Sequence, residues 1–169
     1  MSYSSRVNLV GAAITILSLG VAPIAIAQDI STSDIVALIA EMEYHTNQGN
    51  VEALVNVIDP EASFAIASEI GIEPALVRIA NLETFFAKGF EGVESHRVNL
   101  AIDDIEIEGS VATVTGTTVD RSVQDGLETI SHLSWTNVIE RQEDDLKVIQ
   151  WRSRMTGYSI REVESSGDL

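Results

Sequence analysis

The sequence predicts an α+β fold, in which three N-terminal helices pack on a curved antiparallel sheet of four long strands plus a short strand. Apolar residues recur at helical spacing in several segments before residue 91. Apolar and polar residues then alternate through most of residues 95–155, and turn dipeptides divide this alternation into four runs. The sheet is therefore expected to have one apolar face, which the helices cover.

The first helix is predicted over residues 31–48, with Thr32 or Ser33 as its N-cap. Its apolar stripe consists of Ile35, Leu38, Ile39 and Met42. Asn50 can cap the second helix, which ends at Asp59 because a residue before proline avoids the helical region.

A short strand is predicted over residues 63–67, and residues 75–79 are strand or irregular. Asn81 can cap the third helix, which presents an aromatic stripe of Leu82, Phe85, Phe86 and Phe90. Such a stripe is more typical of a core than of a cofactor site.

The first long strand, residues 95–107, changes its alternation phase at Asp103-Asp104, which indicates a β-bulge and a bend. Turns are predicted at Glu108-Gly109, Asp125-Gly126 and Glu143-Asp144, of which Asp-Gly is the strongest hairpin signal. The remaining strands are predicted over residues 111–119, 129–140 and 146–155.

Two-residue turns place Gly116 opposite Trp135, a small residue beneath a large one. At one end, the apolar face then becomes polar with Trp135, Asn137, Gln150, Arg152 and Arg154. The opposite face is half polar and carries Trp151 and Met155, which we interpret as a homodimer contact; a cover by the C-terminal tail is the alternative.

Residues 1–27 have the pattern of a secretory signal peptide, with Arg6, an apolar segment and the small residues Ala25 and Ala27 before the cleavage point. An uncut membrane anchor is the alternative. The prediction is thus a signal peptide over 1–27, one domain over 28–158, a flexible tail over 159–169, and a periplasmic or extracellular location.

A net charge of −16 argues against nucleic acid and anionic membrane surfaces as partners. The absence of cysteine excludes disulfides and thiolate metal sites. The three histidines do not have metal-site spacing, and the acids around Asp103 are typical of a solvated bulge, so we expect no metal and no cofactor.

The order of these elements resembles the nuclear transport factor 2-like superfamily, with the SnoaL-like and ketosteroid-isomerase-like branches nearest. The local matches are residues 47–50 with Leu54, residues 59–64, residues 138–142 and residues 146–149. The resemblance implies a cone-shaped fold with a cavity between the helices and the concave face of the sheet.

Proteins with this fold include isomerases, dehydratases, cyclases and binding modules, so the fold alone does not give a function. The resemblance places the isomerases' carboxylate base at Ala65 or Ile66 and their oxyanion tyrosine near Glu41. None of these residues can take the corresponding role, so the isomerase mechanism is not carried over. Glu69 is close enough to replace the base only if its loop folds back.

The polar end of the concave face suits a carboxylate or sulfate on an apolar body, because guanidinium groups offer a planar fork for oxyanions. An internal pair of Arg152 with an acid such as Glu41 is the alternative. The expected ligand-binding residues are Trp135, Asn137, Gln150, Arg152, Arg154, His45 and His96.

These features predict an exported binding domain for a small apolar acid. A lyase or isomerase using His45, His96 or Glu69 as its acid–base group is the alternative, and a structural dimer with a filled core is a third.

Overall fold

The computed structural model describes residues 29–77 and 79–163, so the predicted signal peptide lies outside the described residues. The elements are α1 (Thr32–Asn47), α2 (Val51–Asn56), β1 (Ile58–Ala67), β2 (Ala75–Val77), α3 (Ile79–Phe90), β3 (Ser95–Glu108), β4 (Val111–Gln124), β5 (Leu127–Gln142) and β6 (Asp145–Glu162). The chain therefore has the predicted α+β class, with helices first and long strands after them.

The six strands form one sheet in the order β2-β1-β6-β5-β4-β3. Strands β3 to β6 are a chain of antiparallel hairpins, whereas β1 joins β6 in parallel and β2 pairs with β1. The predicted sheet, which was antiparallel with four long strands plus one short strand, therefore differs from the observed sheet in the number and direction of its strands. The sheet is mixed, because β1 is longer than expected and lies beside the last strand of the chain.

The predicted hairpin register is confirmed between β4 and β5. The first turn lies one residue later than predicted, at Gly109-Ser110 and not at Glu108-Gly109, because Glu108 pairs with Val111. Gly116 pairs with Trp135, and the β3–β4 register shifts between Ile102 and Asp104, where the bulge was expected. Asp125 and Gly126 both have positive φ angles, 50° and 72°, which is the backbone geometry of a tight two-residue hairpin turn.

A second bulge, in β6, overturns the predicted faces of the last strand. Val138 pairs with Gln150 while the adjacent Ile139 pairs with Val148, so Ile149 is an extra residue. The face assignments from Gln150 to Met155 are therefore exchanged. A further shift leaves Thr156 as an extra residue, because Leu133 pairs with Met155 and His132 with Gly157. Trp151 and Met155 lie on the inner, helix-covered face, and the predicted placement of Gln150, Arg152 and Arg154 on that face is wrong.

The helices cover the inner face and anchor to it at several points. Ser31, and not Thr32 or Ser33, caps α1, since its Oγ accepts a hydrogen bond from the backbone N–H of Asp34 at 3.2 Å. The core of the described residues is formed by these helices and the central strands, and its fully buried large side chains are Phe64, Ile35, Met42, Leu54, Leu82, Ile139, Val114 and Val148.

Two side chains of α1 bind the exposed edge of β3. The amide of Asn47 accepts from the backbone N–H of Val98 at 2.6 Å and donates to the carbonyl of Val98 at 2.9 Å. Glu43 accepts from the backbone N–H of Leu100 at 2.7 Å. The helix thereby satisfies backbone groups that an edge strand leaves unpaired.

The predicted flexible tail over 159–169 is wrong for its first part. β6 continues to Glu162, which pairs with Leu127 of β5, and the backbone N–H of Val163 donates to the carbonyl of Gly126 at 2.9 Å. Residues 164–169 lie outside the described residues. Within the part that is described, no helix is long and apolar enough to cross a bilayer.

Candidate functional site

A cavity of about 240 Å³ lies between the helices and the inner face of the sheet. Its lining includes Thr46 of α1 and Phe85 and Phe86 of α3. The sheet and the end of β1 contribute the rest of the wall: Phe64, Ile66, Ala67, Ser68, Val98, Leu100, Thr118, Asp120, Ser131, Leu133, Trp135, Trp151, Ser153 and Met155.

The walls of this cavity are mainly apolar and aromatic. The rings of Phe64 and Trp151 lie on neighbouring strands with centroids 5.6 Å apart, and those of Phe85 and Phe86 are 5.9 Å apart. The Trp135 indole lies against Gly116, where an added Cβ would overlap both this ring and the carbonyl of Ala101. Glycine is therefore required at position 116 to seat the tryptophan.

A histidine–carboxylate pair forms the polar end of the cavity. Nε2 of His96 lies 2.9 Å from Oδ1 of Asp120, which belongs to the lining. The two groups are close enough for an ion pair, although they are not aligned as a regular hydrogen bond. The imidazole also packs edge-on against the ring of Phe90, with centroids 5.1 Å apart, so its position is fixed by α3.

The environment of His96 favours its protonated form. The Asp120 carboxylate raises the pKa of His96 above its ordinary value, while burial of the ring acts in the opposite direction with a smaller effect. A histidine held beside a carboxylate can donate or accept a proton when a ligand enters.

Further polar atoms around the inner face lack partners within the described residues. The indole Nε1 atoms of Trp135 and Trp151 and Oδ1 of Asn137 are buried and make no hydrogen bond there. Unpaired buried polar groups are costly, which makes the two indole N–H donors candidate contacts for an acceptor atom of a ligand.

The structure brings together only some of the predicted ligand-binding residues. Trp135 lines the cavity, and His96 reaches it through Asp120. Asn137 is 2 % exposed on the inner face but is not among the lining residues. His45 is on α1, with Nε2 3.6 Å from Glu41, and does not line the cavity.

Arg152 and Arg154 lie on the outer face, away from the cavity, together with Gln150. Conversely, Trp151 and Met155, the predicted dimer contacts, line the cavity, so the structure does not place them on an outer surface. The alternative pairing of Arg152 with Glu41 is also not found, because these residues lie on opposite faces of the sheet.

Asp120 is the functional candidate that the sequence reasoning missed. The strand containing it was predicted to end at Val119, whereas β4 continues to Gln124. When the register is continued by a few residues, Asp120 pairs with Val98 of β3. His96 is the neighbouring residue of β3 whose side chain points to the same face as that of Val98. The strand length, and not the residue type, was therefore the missing signal.

Within residues 29–77 and 79–163, no three His, Asp or Glu side chains gather as a metal site. No protein-family model matches the sequence, and the comparison with curated proteins finds no relative.

Solved structures with the same architecture are numerous. The β subunit of benzoate 1,2-dioxygenase from Burkholderia mallei is 17 % identical, with a TM-score of 0.63, over 76 % of this chain and 93 % of that one. A ketosteroid isomerase-like protein from Erwinia carotovora atroseptica is 12 % identical, with a TM-score of 0.61, over 74 % and 95 %.

An NTF2-like protein of unknown function from Shewanella oneidensis is 16 % identical, with a TM-score of 0.59, over 74 % of this chain and 99 % of its own. Identities this low carry information about the fold and not about the reaction. They agree with the resemblance that the order of helices and strands indicated. The chain has the nuclear transport factor 2-like fold.

Proposed function

We propose that this protein binds a small, mostly apolar molecule in the cavity, with the His96–Asp120 pair at the polar end of the ligand. The observation that carries the proposal is an aromatic-lined cavity of about 240 Å³ with a histidine–carboxylate pair at one end. Ligand sites are typically concave and apolar with a few convergent polar groups. This volume is below the usual range of about 300–1,000 Å³, which favours a ligand of about one ring.

The position of the arginines changes the ligand class from the one that the sequence predicted. Arg152 and Arg154 cannot reach a ligand in the cavity, so the basis for an acidic ligand is lost. A ligand carboxylate would also lie close to Asp120, whose charge offsets that of a protonated His96, so the pair offers no net positive charge to bind it. The cavity therefore suits a neutral molecule with a hydroxyl or carbonyl group.

Three probes with one ring and different polar groups test this proposal: phenol, benzaldehyde and benzoate. Binding is measured by saturation-transfer NMR, in which irradiated protein transfers magnetisation to a bound ligand. We expect transfer to phenol and benzaldehyde, and weaker transfer to benzoate.

Met155→Trp fills the cavity from β6 and should abolish this transfer, because Met155 belongs to the lining. Gln150→Trp is the matched control, since it adds the same side chain to the outer face of the same strand. Transfer that survives Met155→Trp, or that is lost equally in both variants, contradicts binding in the cavity.

Proton transfer, as in a lyase or isomerase, is the second candidate function, and the observation in its favour is again the His96–Asp120 pair. A positioned imidazole beside a carboxylate is a common acid–base arrangement. His45 and Glu69 are weaker candidates, because neither is among the lining residues.

Deuterium exchange into the methyl group of acetophenone tests this candidate without a known substrate. Exchange faster than in buffer, lost in His96→Gln and kept in His45→Gln, would support proton transfer. A rate equal to that of buffer for the wild-type protein would leave binding as the only function proposed for this cavity.

A further inference from the structure

We propose that the outer face of the sheet carries a second binding site, independent of the cavity, for a small oxyanion such as phosphate or sulfate. Arg152 and Arg154 are its centre. They line a depression of about 340 Å³ together with hydroxyl side chains of β4 and β5. The arginines lie on the face opposite to the cavity, and Trp135 and Ser153 of the sheet border both spaces.

The bulge at Ile149 is the structural reason for this site. It exchanges the faces of β6, so Arg152 and Arg154 point to the same side as Gln150, opposite to Trp151 and Met155. Bulges commonly re-aim side chains in this way. Because the arginines alternate along one strand, their Cα atoms are about 7 Å apart, close enough for both to contact one polyatomic anion.

Hydroxyl groups occupy the neighbouring positions in the same two cross-strand rows. Thr136 is paired with Arg152 on one side and with Thr115 on the other, and Ser134 occupies the same place beside Arg154. Serine and threonine hydroxyls can each donate one hydrogen bond to an anion. Paired guanidinium forks with adjacent hydroxyl donors suit the tetrahedral oxygens of phosphate or sulfate.

The two arginines are little used by the protein itself. Within the part of the chain that is described, Arg152 makes no ion pair, although the sequence contains 26 acidic residues. Arg154 contacts Glu73 at 3.5 Å, but that carboxylate side chain is 93 % exposed. Exposed ion pairs of this kind are weak, so an anion can replace Glu73.

Acidic groups also border the depression and limit its ligand. Asp103 belongs to the lining, and Asp104 pairs with Thr115 at the far end of the Arg152 row. Three strand spacings separate Asp104 from Arg152, about 14 Å, so its repulsion of an anion at the arginines is largely screened. A compact anion at the arginine end avoids these carboxylates, whereas an extended polyanion would lie over them.

Titration with inorganic phosphate, followed by NMR of the backbone amides, tests this proposal. We expect saturable shifts centred on Thr136 and Arg152. Arg152→Gln should weaken binding about tenfold or more, because it removes a charge-assisted hydrogen bond. Arg121→Gln is the matched control, since Arg121 is an exposed arginine on the outer side of β4, further along the sheet.

Met155→Trp distinguishes binding at this site from binding in the cavity. It fills the cavity, so phosphate binding should persist in that variant. Shifts that do not saturate, or equal weakening by Arg152→Gln and Arg121→Gln, would mean general attraction to exposed arginines and would overturn the site.

The same oxyanion chemistry could come from carboxylates of a second copy of this chain, and sedimentation distinguishes that source. If the mass of the protein measured by sedimentation does not change when phosphate is added, the oxyanion that binds the arginines is a free small ligand. A dimer that dissociates with phosphate, and that Arg152→Gln also dissociates, would assign the arginines to an interface and overturn the small-ligand form.

Discussion

The His96–Asp120 pair links the protonation of one side chain to the stability of the fold. Asp120 raises the pKa of His96 in the folded state, whereas an unfolded chain leaves histidine near its ordinary value of about 6.5. The folded state therefore holds this proton more tightly than the unfolded state. The resulting stabilisation is fully present below the unfolded pKa and is lost as the pH rises through the folded one.

Asp120→Asn should reduce the free energy of unfolding by about 1 kcal/mol near pH 5.5 and change it little near pH 9. The reason is that the imidazolium loses its carboxylate partner only where it is protonated. Urea unfolding at both pH values measures the difference, and NMR titration of His96 should show a lower pKa in the variant.

Asp104→Asn is the control, because Asp104 is an exposed carboxylate on the outer side of β3. Its effect should not follow the titration of His96. If Asp120→Asn destabilises the protein equally at both pH values, the pair acts through shape or packing and not through the histidine charge.

The bulge in β3 and the first bulge in β6 show how far single-residue patterns can be interpreted. The bulge in β3 was found because Ile102 and Ile105 break the alternation of apolar residues. The bulge at Ile149 in β6 carries a similar signal, since Val148 and Ile149 are adjacent apolar residues where the strand should alternate. Arg152 and Arg154 favour the opposite interpretation of this signal, because a strand without a bulge places both guanidinium groups at the polar end of the cavity, where they could bind an acid.

At the scale of elements, α1 determines how the edge of the sheet is closed. Asn47 makes two hydrogen bonds to Val98, and Glu43 binds the next inward residue, Leu100. These side chains are one helical turn apart, which matches the spacing of alternate strand residues. The helix therefore fixes the position of β3, which supplies His96 and part of the cavity wall.

Asn47→Leu should lower the free energy of unfolding by about 2–3 kcal/mol, because it leaves both backbone groups of Val98 without partners. Asn99→Leu is a matched control, since Asn99 is exposed on the outer side of the same strand. Urea unfolding compares the two variants. If the two variants have equal free energies of unfolding, water replaces the hydrogen bonds of Asn47 without cost.

The sequence was informative about local structure and less so about contacts between distant segments. The Asp125-Gly126 and Glu143-Asp144 turns, the apolar stripe of α1 and the Gly116–Trp135 pairing follow from neighbouring residues, and the structure confirms them. The parallel pairing of β1 with β6 has no local signal, because it joins segments at opposite ends of the described chain. The walls of the cavity depend on that pairing, because Phe64 of β1 and Trp151 of β6 both belong to its lining.

At the scale of the whole molecule, the last residues of β6 extend the sheet beyond the cavity. Thr129 pairs with Ile160, and Leu127 pairs with Glu162, on the same side of the sheet as the cavity lining. A chain that ends after Tyr158 would leave residues 127–130 of β5 paired only with β4, and their N–H and C=O groups on the β6 side would face solvent.

Relative to a chain that ends after Val163, the chain that ends after Tyr158 should unfold with a free energy about 1–3 kcal/mol lower. Amide hydrogen exchange within residues 127–130 should also become faster, because these residues lose their β6 partners. Equal protection in the two chains would show that β5 does not need this part of β6.

The parallel contact between β1 and β6 also constrains the order of folding. The hairpins from β3 to β6 join neighbouring segments and close short loops, which is fast, whereas β1 must find a strand synthesised near the end of the chain. Phe64 and Trp151 meet only in that last step. A nascent chain therefore cannot complete this cavity until β6 has been synthesised, and until then the apolar residues of β1 lack their β6 neighbours and are prone to aggregation.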